Sequence, residues 1–71
     1  MASEVQQFGA NVRAARLARG WTQEELADAT GLASVQVSRI ERGVREVRLT
    51  TFVRLVKALN LPPDRLLARI L

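Results

Sequence analysis

The segment Thr22 to Gly43, TQEELADATGLASVQVSRIERG, limits the fold more than any other stretch, because two short helical patterns are joined there across a glycine. Thr22 is a good N-cap, and Glu25 three residues on completes a capping box, so a helix opens at Gln23 with its first amides satisfied. Leu26, Ala27, Ala29 and Thr30 give that helix an apolar stripe two turns long, and Gly31 supplies a C′ residue that tolerates positive φ. A second helix follows Leu32 and Ala33, places Val37, Ile40 and Glu41 on one face, and ends at Gly43. Counting from Gln23, Ala27 lies four on, Gly31 eight on, and Val37 and Ile40 fourteen and seventeen on, a spacing that lets two helices cross closely at a fixed angle.

The flanks supply a core for this pair. Ser3 caps a first helix from about Glu4 to Arg19, with Val5, Phe8, Val12 and then Ala15 or Arg16 along one face, and Gly20 ends it. Leu49, Phe52, Leu55, Val56 and Leu59 mark a fourth helix as core. Leu61-Pro62-Pro63-Asp64 breaks the chain and starts a last helix, about 63–71, with proline at its first position. In it Leu66 and Ile70 form one stripe and Leu67 and Leu71 the next, a wider apolar surface than one side of a short helix buries. These leucines either complete a small core or meet a partner.

Seventy-one residues make a single small domain, near the lower limit at which a core without staples is comfortable. The absence of Cys and His removes disulfides, thiolate metal sites and the usual general base, so neither a metal nor a cofactor is expected and catalysis is poorly equipped. The start, MASEVQQFGANV, lacks a signal-peptide pattern, and no apolar run approaches the roughly 20 residues of a membrane span. A cytoplasmic location is the expectation. Of the eleven basic residues only Lys57 is not arginine, and against seven acids they leave a net charge of +4. That arginine bias suits bidentate recognition of phosphate and guanine.

Four pieces of the chain carry a family likeness: FG at Phe8-Gly9, RLARGWTQEELA from Arg16, GLASVQVSRIERG from Gly31 and LTTFVRLVKAL from Leu49. From Phe8 to Leu59 the chain resembles the phage repressor and Cro-like helix-turn-helix family, often called the XRE family, which includes lambda-repressor-like domains. The resemblance implies an all-α, compact, five-helix domain that binds double-stranded DNA, with residues 22–43 as its helix-turn-helix. It also implies a symmetric dimer through the C-terminal helix, where Leu67, Ile70 and Leu71 are the candidate interface. Gln23 resembles the family glutamine that grips a phosphate at the mouth of the major groove; an exposed glutamine of no consequence is the plain alternative. Two positions depart from the family. Ala33 stands where Ser or Thr usually caps the recognition helix, leaving Ser34 as a replacement cap, and Val47-Arg48 replaces the usual cap before the fourth helix.

Within the second helix of the pair, 100° per residue turns Val37, Ile40 and Glu41 inward and Val35, Ser38, Arg39 and Arg42 outward, with Ser34 and Gln36 available at the N-terminal end. Outward Val35 offers methyls to a thymine methyl, Arg39 reaches guanine O6 and N7, and Arg42 a turn beyond meets phosphate. Arg45 and Arg48 continue that spacing and either contact the backbone or form a solvated charge run. Thr22 and Gln23 complete the expected DNA-facing set. Glu24 and Asp28, one turn apart, face solvent. Arg16 and Glu41 both aim charge at the core, and the simplest resolution is that they meet as a mainly architectural pair. Trp21 is expected in half-buried packing rather than on a base-stacking surface.

Two functions from different classes follow. One is a sequence-specific, dimeric transcription regulator reading a two-fold operator, similar to Cro-like repressors or the controller proteins of restriction-modification systems. The other is an antitoxin-like interaction module whose C-terminal leucines hold another protein. The outward stripe of Val35, Arg39 and Arg42 favours the first, and the short run of chain to Leu71 offers little with which to wrap a partner.

Overall fold

A computed structural model describes residues 3–71; the first two residues of the expected single domain lie outside that range. Five helices follow one another: α1 (Glu4–Ala18), α2 (Gln23–Thr30), α3 (Ser34–Arg42), α4 (Leu49–Leu59) and α5 (Pro63–Leu66). There is no strand among the described residues. Local signals set the first two starts. The Ser3 hydroxyl accepts the Gln6 N–H at 3.1 Å while Ser3 N–H donates to Gln6 Oε1 at 3.0 Å. Thr22 and Glu25 make the same reciprocal pair at 3.1 and 2.9 Å. Gly31 closes α2 in the left-handed region at φ 75°, its N–H donating to Ala27 O at 2.9 Å.

One residue of each helix of α1–α5 reaches a shared core: Val12, Leu26, Val37, Leu55 and Leu66, joined by Phe8, Ala27 and Leu59. Phe8 and Phe52 pack with ring centroids 5.8 Å apart. Helix α1 crosses α3 closely enough that Gly9 touches its backbone; a Cβ at Gly9 would collide with the carbonyl oxygens of Ile40 and Glu41. Thr30 is buried but satisfied, its hydroxyl donating to Leu26 O at 2.8 Å and accepting the Leu32 N–H at 3.3 Å.

Four expectations need correction. Ala29 is exposed, because it stands a full 100° step before Thr30, outside the arc spanned by Leu26, Thr30 and Ala27. Ser34 does not take over as the cap of α3: it is the first helical residue, and Ala33 holds the cap position without a side-chain bond. Leu49 is 76% exposed, since it opens α4 on the flank of the face carried by Phe52, Leu55 and Leu59. The last helix stops at Leu66 rather than running to 71. Beyond it the N–H groups of Ile70 and Leu71 both turn back to Leu67 O, and Arg69 takes a positive φ of 66°.

Candidate nucleic-acid interface

Helix α2 and the first two turns of α3 enclose an open depression lined by Thr22, Gln23 and Glu24 from one helix and Ser34, Val35 and Ser38 from the other, with Arg16 at its floor. The structure thus brings together Thr22, Gln23, Ser34, Val35 and Ser38. Gln36, Arg39, Arg42 and Arg45 are exposed but lie outside that depression. Val35 is 51% exposed, as its outward angle on α3 requires. Glu24 brings one acid to the edge of the depression, and Asp28 is exposed.

Beneath the surface, Arg16 and Glu41 form the expected pair. Arg16 Nε donates to Glu41 Oε2 at 2.7 Å and Nη2 to Oε1 at 3.0 Å, while Nη1 donates to Trp21 O at 2.7 Å. The hydrogen bonds to Glu41 raise the Arg16 pKa above its ordinary value, against the opposing pull of burial. Replacing one partner strands the other charge at a cost of roughly 3–5 kcal/mol, even where the intact pair adds little net stability. Gln23 extends the network by donating Nε2 to Glu41 Oε1 at 3.2 Å. A carboxylate only accepts, so the Gln23 amide is held with its nitrogen inward. Three helices therefore meet at one carboxylate directly behind the depression.

Nothing in the residue spacing singled out two further features. Gln36 Oε1 accepts the Ala33 N–H at 3.0 Å, so this glutamine, expected at the DNA surface, also satisfies the amide of the cap residue, while no side chain caps the Gln36 N–H. Arg19 stacks over Trp21 at 4.4 Å and donates Nη1 to Leu59 O at 3.1 Å, which explains the half-buried tryptophan. Arg42 Nε makes a long 3.4 Å bond to Ser38 O and otherwise extends into solvent.

A second concave surface lies elsewhere on the domain. Val5, Phe8, Val47, Leu49, Phe52, Leu67 and Ile70 line an apolar groove, with Glu4 and Glu46 beside them. Leu67 and Ile70 are half-buried and pack against the core, whereas Leu71 is 95% exposed. Among the described residues no group of three or more acids gathers to hold a metal ion, and no helix is long and apolar enough to cross a membrane.

Comparison with known proteins agrees with this geometry. The helix-turn-helix family profile matches residues 12–66. An uncharacterized helix-turn-helix-type transcriptional regulator of Mycobacterium tuberculosis is 40% identical over 55 residues, 78% of this chain and 22% of its own. The chain thus spans about a fifth of the length of that relative. Control protein C.SmaI of Serratia marcescens is 41% identical over 59 residues, covering 83% of this chain and 70% of its own. Among solved structures, the restriction-modification controller protein C.AhdI of Aeromonas hydrophila superposes with a TM-score of 0.87 at 37% identity, over 92% of this chain and 98% of its own. The clp gene regulator ClgR of C. glutamicum superposes with a TM-score of 0.88 at 28% identity, over 94% and 87%.

Proposed function

The chain belongs to the XRE-like helix-turn-helix family, and from that membership we propose that it is a sequence-specific DNA-binding transcription regulator acting as a homodimer on a two-fold operator. The observation that carries this reading is the depression between α2 and the start of α3, from which Val35 projects and beyond which Arg39 and Arg42 form no salt bridge among the described residues. In this role α3 enters the major groove, Val35 lies against a thymine methyl, and Arg39 spans guanine O6 and N7. Thr22, Gln23, Ser34, Gln36 and Ser38 position the protein at the groove's mouth, and Arg42 and Arg45 meet phosphates.

The Arg16–Glu41 pair serves this surface by cancelling a carboxylate that would otherwise face the DNA backbone from behind Gln23. A second copy seated on the apolar groove supplies the other recognition helix, for one small domain gives too few contacts for the roughly 10⁻⁸ to 10⁻¹¹ M affinity of a specific site. The exposed leucines at 49 and 71 support that occupant. The relatives named as controller proteins support a regulator of that class. Selection of bound sequences from random DNA is the direct test: a two-fold consensus with half-sites one helical turn apart is expected, and recovery of no enriched sequence would overturn the reading.

A further inference from the structure

The C-terminal turn that carries Leu67 and Ile70 into the apolar groove has short backbone bonds of its own, and two further carbonyls in it are held by a group far away in sequence. Asn11, half-buried on α1, donates both hydrogens of Nδ2, one to Leu66 O at 2.8 Å and one to Ala68 O at 2.9 Å. Its own Oδ1 accepts Gln7 Nε2 at 2.9 Å, so the amide is fixed in orientation from both ends. Among the described residues no backbone N–H outside a helix donates to either carbonyl. Leu67 stands between the two clamped carbonyls, and Ile70 is tied to Leu67 through its own N–H at 3.0 Å.

Asn11 does not line the apolar groove; it borders a different one with Arg19, Leu61 and Arg65. Its chemistry is therefore absent from the surface it shapes. We propose that Asn11 is a positioning residue for self-association, fixing the C-terminal turn so that Leu67 and Ile70 form a preordered wall for a second copy. The inference rests on the homodimer proposed above. Preordering matters because a turn that must be ordered on pairing subtracts that entropy from the affinity.

The test is Asn11→Asp, which keeps the shape of the side chain and places a carboxylate against two carbonyl oxygens. Sedimentation equilibrium of the full chain, at a temperature where circular dichroism shows both proteins folded, reads the pairing constant. Amide hydrogen exchange reads where order is lost. The expected result is pairing weakened by about ten-fold or more, with faster exchange at Ile70 and Leu71 and unchanged exchange in α1–α4. Should Asn11→Asp not fold, Asn11→Ala, which only removes the donors, is measured in its place. Pairing within about two-fold of the original protein overturns the role of Asn11 and leaves the homodimer standing. Exchange that rises in every helix together makes Asn11 a general stabiliser and also overturns it. An original protein that stays monomeric up to about 100 μM, a concentration at which even a weak 1 μM pairing is nearly complete, overturns the homodimer, and the role of Asn11 with it.

Discussion

Arg39 and Arg42 differ by less than one turn of α3, yet their expected chemistry differs, and substitution separates them. Arg39→Ala should lose roughly 1–3 kcal/mol on the preferred site and relax preference at one symmetric pair of positions. Binding-site selection with the variant checks this, and an equal loss on random DNA would reassign Arg39 to phosphate. Arg42→Ala should instead weaken all sequences about equally and reduce the slope of log affinity against log salt by roughly one. Titrations across a salt series measure it. At this scale the sequence was most legible where a residue broke its local pattern. An outward valine on α3 and two charges aimed at the core were visible from periodicity alone, and the Arg16–Glu41 contact at 2.7 Å follows from them. The bond from Gln23 to Glu41 and the clamp of Asn11 were not legible, because polar partners 18 and 55 residues apart leave no periodic trace.

Among the elements, α1 and α2 begin where their capping boxes put them, and α2 ends at the glycine that only a left-handed cap requires. Helix α3 begins after Ala33, where the sequence put it, but without the serine cap expected of it, and the end of α5 was misplaced. Ala33 offers no side-chain acceptor to the Gln36 N–H, although Gln36 Oε1 accepts the Ala33 N–H, and α5 stops at Leu66, where Leu66 O and Ala68 O accept from Asn11. The alanine is a correctable weakness. Ala33 already sits in the extended conformation of an N-cap, φ −79° and ψ 149°, and is exposed, so a hydroxyl there is accommodated without strain. Ala33→Ser should raise stability by about 1 kcal/mol. Urea denaturation followed by circular dichroism checks it, and a lower midpoint would show that a cap hydroxyl disturbs the bond from Ala33 N–H to Gln36.

For the molecule as a whole, the chain has neither His nor Cys, so no side chain has an ordinary pKa between about 6 and 8. Nor does Arg16, in the buried pair with Glu41, titrate in that range. A raised Arg16 pKa contributes stability that is complete below the ordinary arginine value and is lost only as pH rises through the folded value, above the range of most assays. Thermal midpoints measured from about pH 6 to 8 should therefore be flat to within a few degrees, and a clear transition in that window would point to a group outside the core pair.

The proposed self-association belongs wholly to this scale. Of the candidate interface residues, Leu67 and Ile70 also pack against the core, so charging Leu67 would damage the monomer as well as any interface. Leu49 and Leu71 are the cleaner sites. Leu49 is exposed on the apolar groove at the first position of α4, where a carboxylate is favoured by the helix dipole, and Leu71 is nearly free of contacts. Leu49→Glu combined with Leu71→Glu should leave a folded monomer of undiminished stability. The proposed pairing of two recognition helices about 34–36 Å apart on one face of the DNA is then lost. Specific affinity should fall by at least about a hundred-fold, while the weaker, salt-dependent binding to random DNA falls far less. Sedimentation equilibrium and a gel-shift titration on one selected site measure both effects. A double variant that still pairs would place the interface away from the groove, and one that is monomeric yet binds its site undiminished would show that a single recognition helix is enough.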